Sequence, residues 1–342
     1  MAGPRPLVCI CIPTYNASAT LAETLESLLR QTYAGITIQV VDNASTDDTV
    51  ALARRYVQTH RNIEVFAYPE NIGGEGNFTR CIQLGRGDYT AIYHADDLYE
   101  PDMVEKQVAF LEKHRDAGAV LTGATYIDAQ GKAFGMHTFP REIRHLDEAL
   151  YDFPQLLKSI LRYSNFLLCP SAMARTSVYQ QEIKIWDGKR FGTSADLDVW
   201  LRISQKHKVG IITAPLMRYR VSPHSFSYHY ARTRTKPLDM LNVLDDYVAR
   251  YGAALLDKHD MKRYRLFSLK DRVSRSINAL INDDRRQARV IVKELFAAQA
   301  FLSMLTTPRG ALYGVIACAA YALSLLPLGK AGRRALHALK FG

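Results

Sequence analysis

Tyr89-Thr90-Ala91-Ile92-Tyr93-His94-Ala95-Asp96-Asp97-Leu98 is the stretch on which the fold turns. Its first half, Tyr89 to Tyr93, is aromatic and β-branched and reads as a buried strand. Its second half ends in two adjacent carboxylates. Ionised carboxylates at the end of a buried strand are costly unless something cationic meets them. A hard divalent cation that also touches a diphosphate would satisfy them, because Mg²⁺-type ions favour oxygen from one or two carboxylates plus phosphate. The bland alternative is that Asp96 and Asp97 cap a helix starting near Pro101. The stretch alone leaves both readings open.

Outward from it, strand and helix alternate. Leu7 to Ile12 is a continuous apolar run of the kind buried on both faces of a sheet. It stops at Pro13-Thr14-Tyr15-Asn16. Thr20 and Glu23 have capping-box spacing, and Leu21, Leu25, Leu28 and Leu29 follow at helical intervals. Ile36 to Val41 is the next strand, ending at Asp42-Asn43-Ala44-Ser45. Ser45 and Asp48 again have capping-box spacing, before a helix through Tyr56. Ile63 to Tyr68 is a third strand, and the glycine-rich loop from Asn71 to Asn77 leads into a helix near Phe78 to Leu84. Four alternations in about 100 residues predict a parallel, doubly wound sheet. Ligands of such sheets bind outside the carboxyl ends of the strands. Here those ends carry Asn16, Asp42-Asn43, the Asn71–Asn77 loop and Asp96-Asp97. Turn and cap chemistry alone is a poor explanation for polar groups at all four ends on one rim.

Ile12-Pro13-Thr14-Tyr15-Asn16, Val41-Asp42-Asn43-Ala44-Ser45-Thr46-Asp47-Asp48-Thr49, Asn71-Ile72-Gly73 and Ala95-Asp96-Asp97-Leu98-Tyr99-Glu100-Pro101 resemble the successive signatures of family-2 inverting glycosyltransferases with the GT-A fold. The resemblance covers roughly residues 7–225 and implies an α/β fold of that type. The expected body is a doubly wound mixed sheet, with a nucleotide-binding βαβ half and an acceptor half. The resemblance also implies a nucleotide-diphosphate sugar donor, UDP-sugar favoured, and a divalent metal, Mn²⁺ or Mg²⁺. Carried over by position, Pro13, Thr14, Tyr15 and Asn16 line the nucleotide pocket, and Asp42 accepts a hydrogen bond from the base. Asn71 and Asn77 help hold the nucleoside or diphosphate. Asp96 binds metal, with Asp97 beside it. The first Asp of the family's Asp-x-Asp element is His94 here, which replaces a fixed charge by an imidazole nitrogen. Manganese tolerates that donor better than magnesium does. The alternative for His94 is packing or a ribose contact.

Gly192-Thr193-Ser194-Ala195-Asp196-Leu197-Asp198-Val199-Trp200-Leu201-Arg202 is the second dense stretch. Leu197, Trp200, Leu201 and Ile203 repeat at helical spacing, and Asp196 lies in the first turn, where the helix dipole favours a carboxylate. The stretch resembles the family's Glu-Asp-x-x-x-Trp element, which implies that Asp196 is the general base; Ala195 stands where the usual Glu would be. Asp198, two residues on, points about 200° away along a helix. Tyr219-Arg220-Val221-Ser222-Pro223-His224 resembles the family's Tyr-Arg-x-His segment with Ser222 in the usual His position. The expectation is that Arg220 faces the diphosphate and that His224 is a metal ligand or stands beside the leaving group. An arginine suits a leaving diphosphate. The Gln-x-x-Arg-Trp element of processive members is absent, so single-sugar transfer is expected.

Net charge is +10, from 44 Lys+Arg against 34 Asp+Glu, which favours an anionic partner. No aromatic-basic nucleic-acid motif accompanies it. Cys9, Cys11, Cys81, Cys169 and Cys318 form no CxxC pair and read as small core or membrane residues of a reducing compartment. A strand begins within seven residues of the start, so no signal peptide is expected and the catalytic body is expected in the cytoplasm. The expected domains are a GT-A glycosyltransferase domain over 1–230, a helical extension over 231–305, and a hydrophobic helix with a basic tail over 306–342. Residues 310–329 carry no charge and are long enough to span or enter a bilayer, or to form a core helix. Membrane association at the cytoplasmic face of the cell membrane suits a saccharide or lipid-linked acceptor in cell-surface polysaccharide or glycolipid assembly. A nucleotidyltransferase would want a basic, glycine-rich loop after the first strand, where this chain has Pro13-Thr14-Tyr15-Asn16. A non-catalytic membrane-associated scaffold is the other rival.

Overall fold

The computed structural model describes residues 5–221, 234–295 and 307–341. The chain divides into two compact units, Met1–Ser222 and Pro223–Gly342. The first unit opens with β1 (Val8–Thr14), α1 (Leu21–Leu29), β2 (Ile36–Asn43), α2 (Thr49–Thr59), β3 (Ile63–Tyr68), α3 (Gly74–Leu84) and β4 (Tyr89–Ile92). It continues through β5 (Leu98–Tyr99), α4 (Met103–Lys113), β6 (Ala117–Ile127), β7 (Ala133–Met136), β8 (Glu148–Tyr151) and α5 (Phe153–Tyr163). It closes with β9 (Met173–Arg175), α6 (Gly188–Phe191), α7 (Ala195–Ser204) and β10 (Lys208–Arg220).

The strands form one sheet in the order β3-β2-β1-β4-β9-β6-β10-β5, with β7 on β6 and β8 on β10. β3, β2, β1 and β4 run parallel, as the alternation predicts. β9 is antiparallel to both β4 and β6, and β5 is antiparallel to β10, so the sheet is mixed. Val8, Ile10 and Ile12 alternate with Cys9 and Cys11 along β1, and all five are buried. Burial on both faces is what a continuous apolar run requires of a central strand. The two thiols share a face, 3.9 Å apart, and the Cys11 thiol donates to Gln39 Oε1.

Local cap expectations fared worse than strand expectations. The Thr20 side chain makes no cap bond to α1, and Glu23 instead pairs with Arg220, 197 residues away in sequence. Ser45 does not cap α2; its hydroxyl donates to Asp42. Asp96 and Asp97 do not cap α4, because β5 intervenes and Asp102 occupies that helix's N-cap position. β10 runs on to Arg220, so Tyr219 and Arg220 belong to a strand.

The second unit holds α8 (Asp239–Leu255), α9 (Lys258–Ile281), α10 (Arg285–Leu295), α11 (Pro308–Leu325) and α12 (Lys330–Phe341). Leu269, Val273 and Leu280 of α9 pack with Val292 and Leu295 of α10 and with Ala317 and Ala320 of α11. A capping box on Asp257 and Asp260 starts α9. Among the described residues no helix is long and apolar enough to cross a membrane, which corrects the spanning option for 310–329. That helix stops at Leu325, and Pro327 follows.

Close packing in the first unit is testable at Gly210 of β10. A Cβ built there would lie 2.1 Å and 2.4 Å from ring carbons of Phe110, a buried residue of α4. Gly210→Ala is expected to destabilise the protein by about 1–3 kcal/mol through overpacking. Urea unfolding checks this; an unchanged midpoint would contradict the packing.

Candidate functional site

Parallel pairing brings the ends of β1 and β2 level, with Thr14 opposite Asp42. The Thr14 hydroxyl donates to Asp42 Oδ1 at 3.0 Å. The Ser45 hydroxyl donates to the same oxygen at 2.5 Å, and the Ser45 N–H donates to Oδ2 at 2.9 Å. Asn16 sits in the left-handed region at φ 51°, which Asn tolerates better than most residues. Its side-chain oxygen accepts from the Thr46 N–H at 2.8 Å, tying the two loops together. Asp42 is therefore fixed and buried, and its two oxygens still have accepting capacity for a ligand N–H. Pro13 is partly buried, and the Tyr15 ring is exposed beside it.

The next loop is fastened by Asn43. Its amide donates to Asn71 Oδ1 at 2.8 Å, and its oxygen accepts from the Ile72 N–H and from Arg80. Asn71 is exposed at the rim. Asn77 differs from the expectation. It is buried inside α3, and its amide donates to the Val41 carbonyl at 2.8 Å, so this group clamps α3 to β2.

The acidic turn follows β4. Tyr99 Oη accepts from the His94 N–H at 2.7 Å, and its ring stacks on Tyr93 at 4.2 Å. The Thr24 hydroxyl donates to the Asp97 carbonyl. Arg220 fastens the turn from β10. Its N–H donates to Asp97 Oδ1 at 2.8 Å, and its Nε donates to the Asp96 carbonyl at 2.9 Å. The rest of its guanidinium donates to the Ala129 carbonyl at 3.0 Å and to Glu23 at 2.6 Å. The sequence expectation has Arg220 facing a diphosphate; in this structure its guanidinium is committed to these partners and it is a buried brace for the turn. His224 lies outside the described residues.

His94, Asp96 and Asp97 each offer a ligand atom, and these atoms lie within 4.8 Å of one another. Asp97 Oδ2 and His94 Nε2 are buried and have no hydrogen-bond partner among the described residues. Burial, and then the neighbouring Asp96, push the Asp97 carboxyl well above the usual range. Burial holds the His94 imidazole below its ordinary value, which favours the neutral ring with a free lone pair. These two orphaned ligand atoms, beside the second carboxylate, Asp96, fit a divalent cation. Cap chemistry leaves them unexplained.

Asp196 stands in the first turn of α7, after a short 3₁₀ turn at Gly192–Ser194. Burial raises its carboxyl to about 6, against the opposing pull of backbone N–H groups. Asp198 points elsewhere, as the helical spacing requires, and pairs with Arg202 at 2.8 Å. Chain-distant contacts link this helix to the acidic turn. Trp200 meets Trp186 edge-on at 5.9 Å, Trp186 stacks on Phe78 at 4.8 Å, and Phe78 meets His94 edge-on at 5.5 Å. The Cys169 thiol is raised by burial and then by the charges of Asp196 and Asp97. Sequence reasoning missed Thr24, Phe78, Trp186 and Cys169, since nothing in their local spacing announces a contact across the fold.

A model of the family described as Glycosyl transferase family 2 matches residues 9–181. The glycosyltransferase EpsE of Bacillus subtilis (strain 168) is 31% identical over 202 residues, 59% of this chain and 68% of EpsE. TuaG of the same organism, by name a teichuronic acid biosynthesis glycosyltransferase, is 28% identical over 150 residues, 44% of this chain and 59% of TuaG. Among solved structures, S. aureus TarS 1–349 in complex with UDP-GlcNAc superposes with a TM-score of 0.65 at 16% identity. That match covers 93% of this chain and 90% of that one, and it shows a common GT-A-type fold.

The Asp196 environment predicts a stability cost. Below about pH 4 the carboxyl is protonated in folded and unfolded chains alike, and nothing is lost. Between pH 4 and 6 the unfolded chain ionises first, so stability falls; above 6 the penalty is constant, on the order of 2–3 kcal/mol. Asp196→Asn is therefore expected to raise the urea midpoint at pH 8 and leave it unchanged near pH 3.5. Equal midpoints at pH 8 would contradict the burial argument.

Proposed function

The chain belongs to glycosyl transferase family 2, and on that premise we propose an inverting enzyme that transfers one sugar from a UDP-sugar to an acceptor hydroxyl. The acceptor is a saccharide or a lipid-linked saccharide, at the cytoplasmic face of the cell membrane, in polysaccharide or glycolipid assembly. The carrying observation is the cluster of His94, Asp96 and Asp97, whose ligand atoms lie within 4.8 Å of one another and two of which have no hydrogen-bond partner among the described residues. Support for the donor comes from the fixed, still-accepting Asp42 and from the fold it shares with a UDP-GlcNAc-bound protein. Support for the pathway class comes from TuaG, whose name gives teichuronic acid biosynthesis.

In this reading Asp196 takes the proton of the acceptor hydroxyl as that oxygen attacks the anomeric carbon from the face opposite the diphosphate. A carboxyl raised to about 6 is ionised at neutral pH yet still basic enough to accept a proton. Asp42, Thr14 and Asn16 orient the nucleotide, and Tyr15 lies at the rim. His94, Asp96 and Asp97 would hold a divalent cation, Mn²⁺ or Mg²⁺. When bound, that cation supplies charge compensation for the departing diphosphate. Arg220 keeps the turn in place, and Trp186, Phe78 and Trp200 keep α7 and the turn in register.

Two measurements test this. UDP-sugars with Mn²⁺ should raise the thermal midpoint of the wild type and of Asp196→Asn alike, since bound ligand stabilises the folded state. Asp96→Asn should abolish the Mn²⁺-dependent part of that rise. Transfer by Asp196→Asn should fall by about 10²–10⁴. In the wild type, kcat/KM should climb tenfold per pH unit up to about 6 and then level off. Normal turnover by Asp196→Asn would reject the assignment of the base.

A further inference from the structure

We infer that the outer face of α11 is a bilayer-docking surface that lies in the plane of an anionic membrane. This deepens the membrane-facing part of the proposed function and rests on that part alone. Ala317, Ala320 and Ser324 turn one face of α11 into the helical core. The opposite face carries Leu312, Val315, Cys318, Ala319 and Ala322, all exposed, and Leu326 just past the helix end continues it. Leu312, Val315 and Leu326 are 57%, 67% and 65% exposed. Spacings of three and four keep these residues on one stripe, and no polar side chain interrupts it. A contiguous apolar stripe of this kind marks an interaction site.

Charge identifies the occupant. Residues 307–342 contain no Asp or Glu but include Arg309, Lys330, Arg333, Arg334 and Lys340. Exposed Arg309 stands at one end of the stripe, and exposed Lys330 and Arg334 follow its other end. An apolar face bracketed by cations complements anionic headgroups above an acyl layer. A second copy docked through the same face would set these cations against their own duplicates. The helix is too short and too weakly apolar to cross a bilayer, so it is suited to lying at the interface.

Cys318 allows a direct test, because it is exposed on the stripe, whereas Cys9, Cys11 and Cys81 are buried and Cys169 is half-buried. The full chain is labelled with an environment-sensitive fluorophore, with Cys318→Ala identifying any signal from Cys169. It is then mixed with phosphatidylglycerol-containing or pure phosphatidylcholine vesicles. The expected result is a blue shift and a several-fold rise with the anionic vesicles only, lost in high salt and quenched by spin-labelled acyl chains. Leu312→Glu combined with Val315→Glu should cut vesicle binding at least about tenfold. If that variant fails to fold, the acyl-chain quenching of the otherwise wild-type protein decides. No vesicle binding, binding with the label still in water, or a label that becomes buried with doubled mass in the absence of lipid would each overturn the inference. The readout contains no sugar chemistry. Failed docking therefore leaves donor turnover unaffected, and absent turnover leaves docking standing.

Discussion

A buried carboxylate with an unshared oxygen is among the costlier things a fold can hold, and Asp97 is such a group. It is 1% exposed, one oxygen is met by the Arg220 N–H, and the other has no partner among the described residues. Leaving such a charge uncompensated is worth several kcal/mol against folding. Much of the surrounding structure limits that cost. β5 pairs with β10, β10 delivers Arg220, and Arg220 then closes the turn through its backbone and its guanidinium. The guanidinium's charge eases ionisation without forming a direct ion pair with Asp97. What remains unmet among the described residues is an oxygen of Asp97 and a nitrogen of His94.

The same logic governs the first turn of α7. Asp196 is placed where burial makes ionisation expensive, although the first turn of a helix is the place where a carboxylate is otherwise welcome. The helix dipole and two backbone N–H groups offset only part of the desolvation. A surface first-turn Asp would have none of this tension. Groups strained in this way recur where a proton must move near neutral pH. Asp198, two residues on, shows the contrast: it is buried, but it pairs with Arg202 and has become part of the scaffold.

Sequence made the sheet legible because strand periodicity and buried apolar runs are local signals. β1 to β4 and their helices could be drawn from spacing alone, and the polar strand ends marked the rim. Asp42, Asp96 and Asp196 stood out because each breaks an apolar pattern. The failures share another cause. Glu23 and Ser45 sit at capping-box spacing, yet their partners are Arg220 and Asp42, chosen by tertiary proximity. β5 and β9 are too short to give a period, so the antiparallel strands that make the sheet mixed went unread. Asn77 looked like a ligand-loop amide and is a clamp on β2, because α3 begins at Gly74, earlier than the apolar pattern implies.

The central claim is that the turn at His94, Asp96 and Asp97 holds a cation in the cleft that Asp196 faces. Anomalous scattering at the manganese edge, from crystals grown with UDP and Mn²⁺, addresses it most directly. The account predicts one strong peak bonded to a carboxylate oxygen of Asp96 or Asp97 and to the diphosphate, with the Asp196 carboxylate across the same cleft. UDP bound with no metal at the turn, or manganese on an unrelated surface, would contradict it.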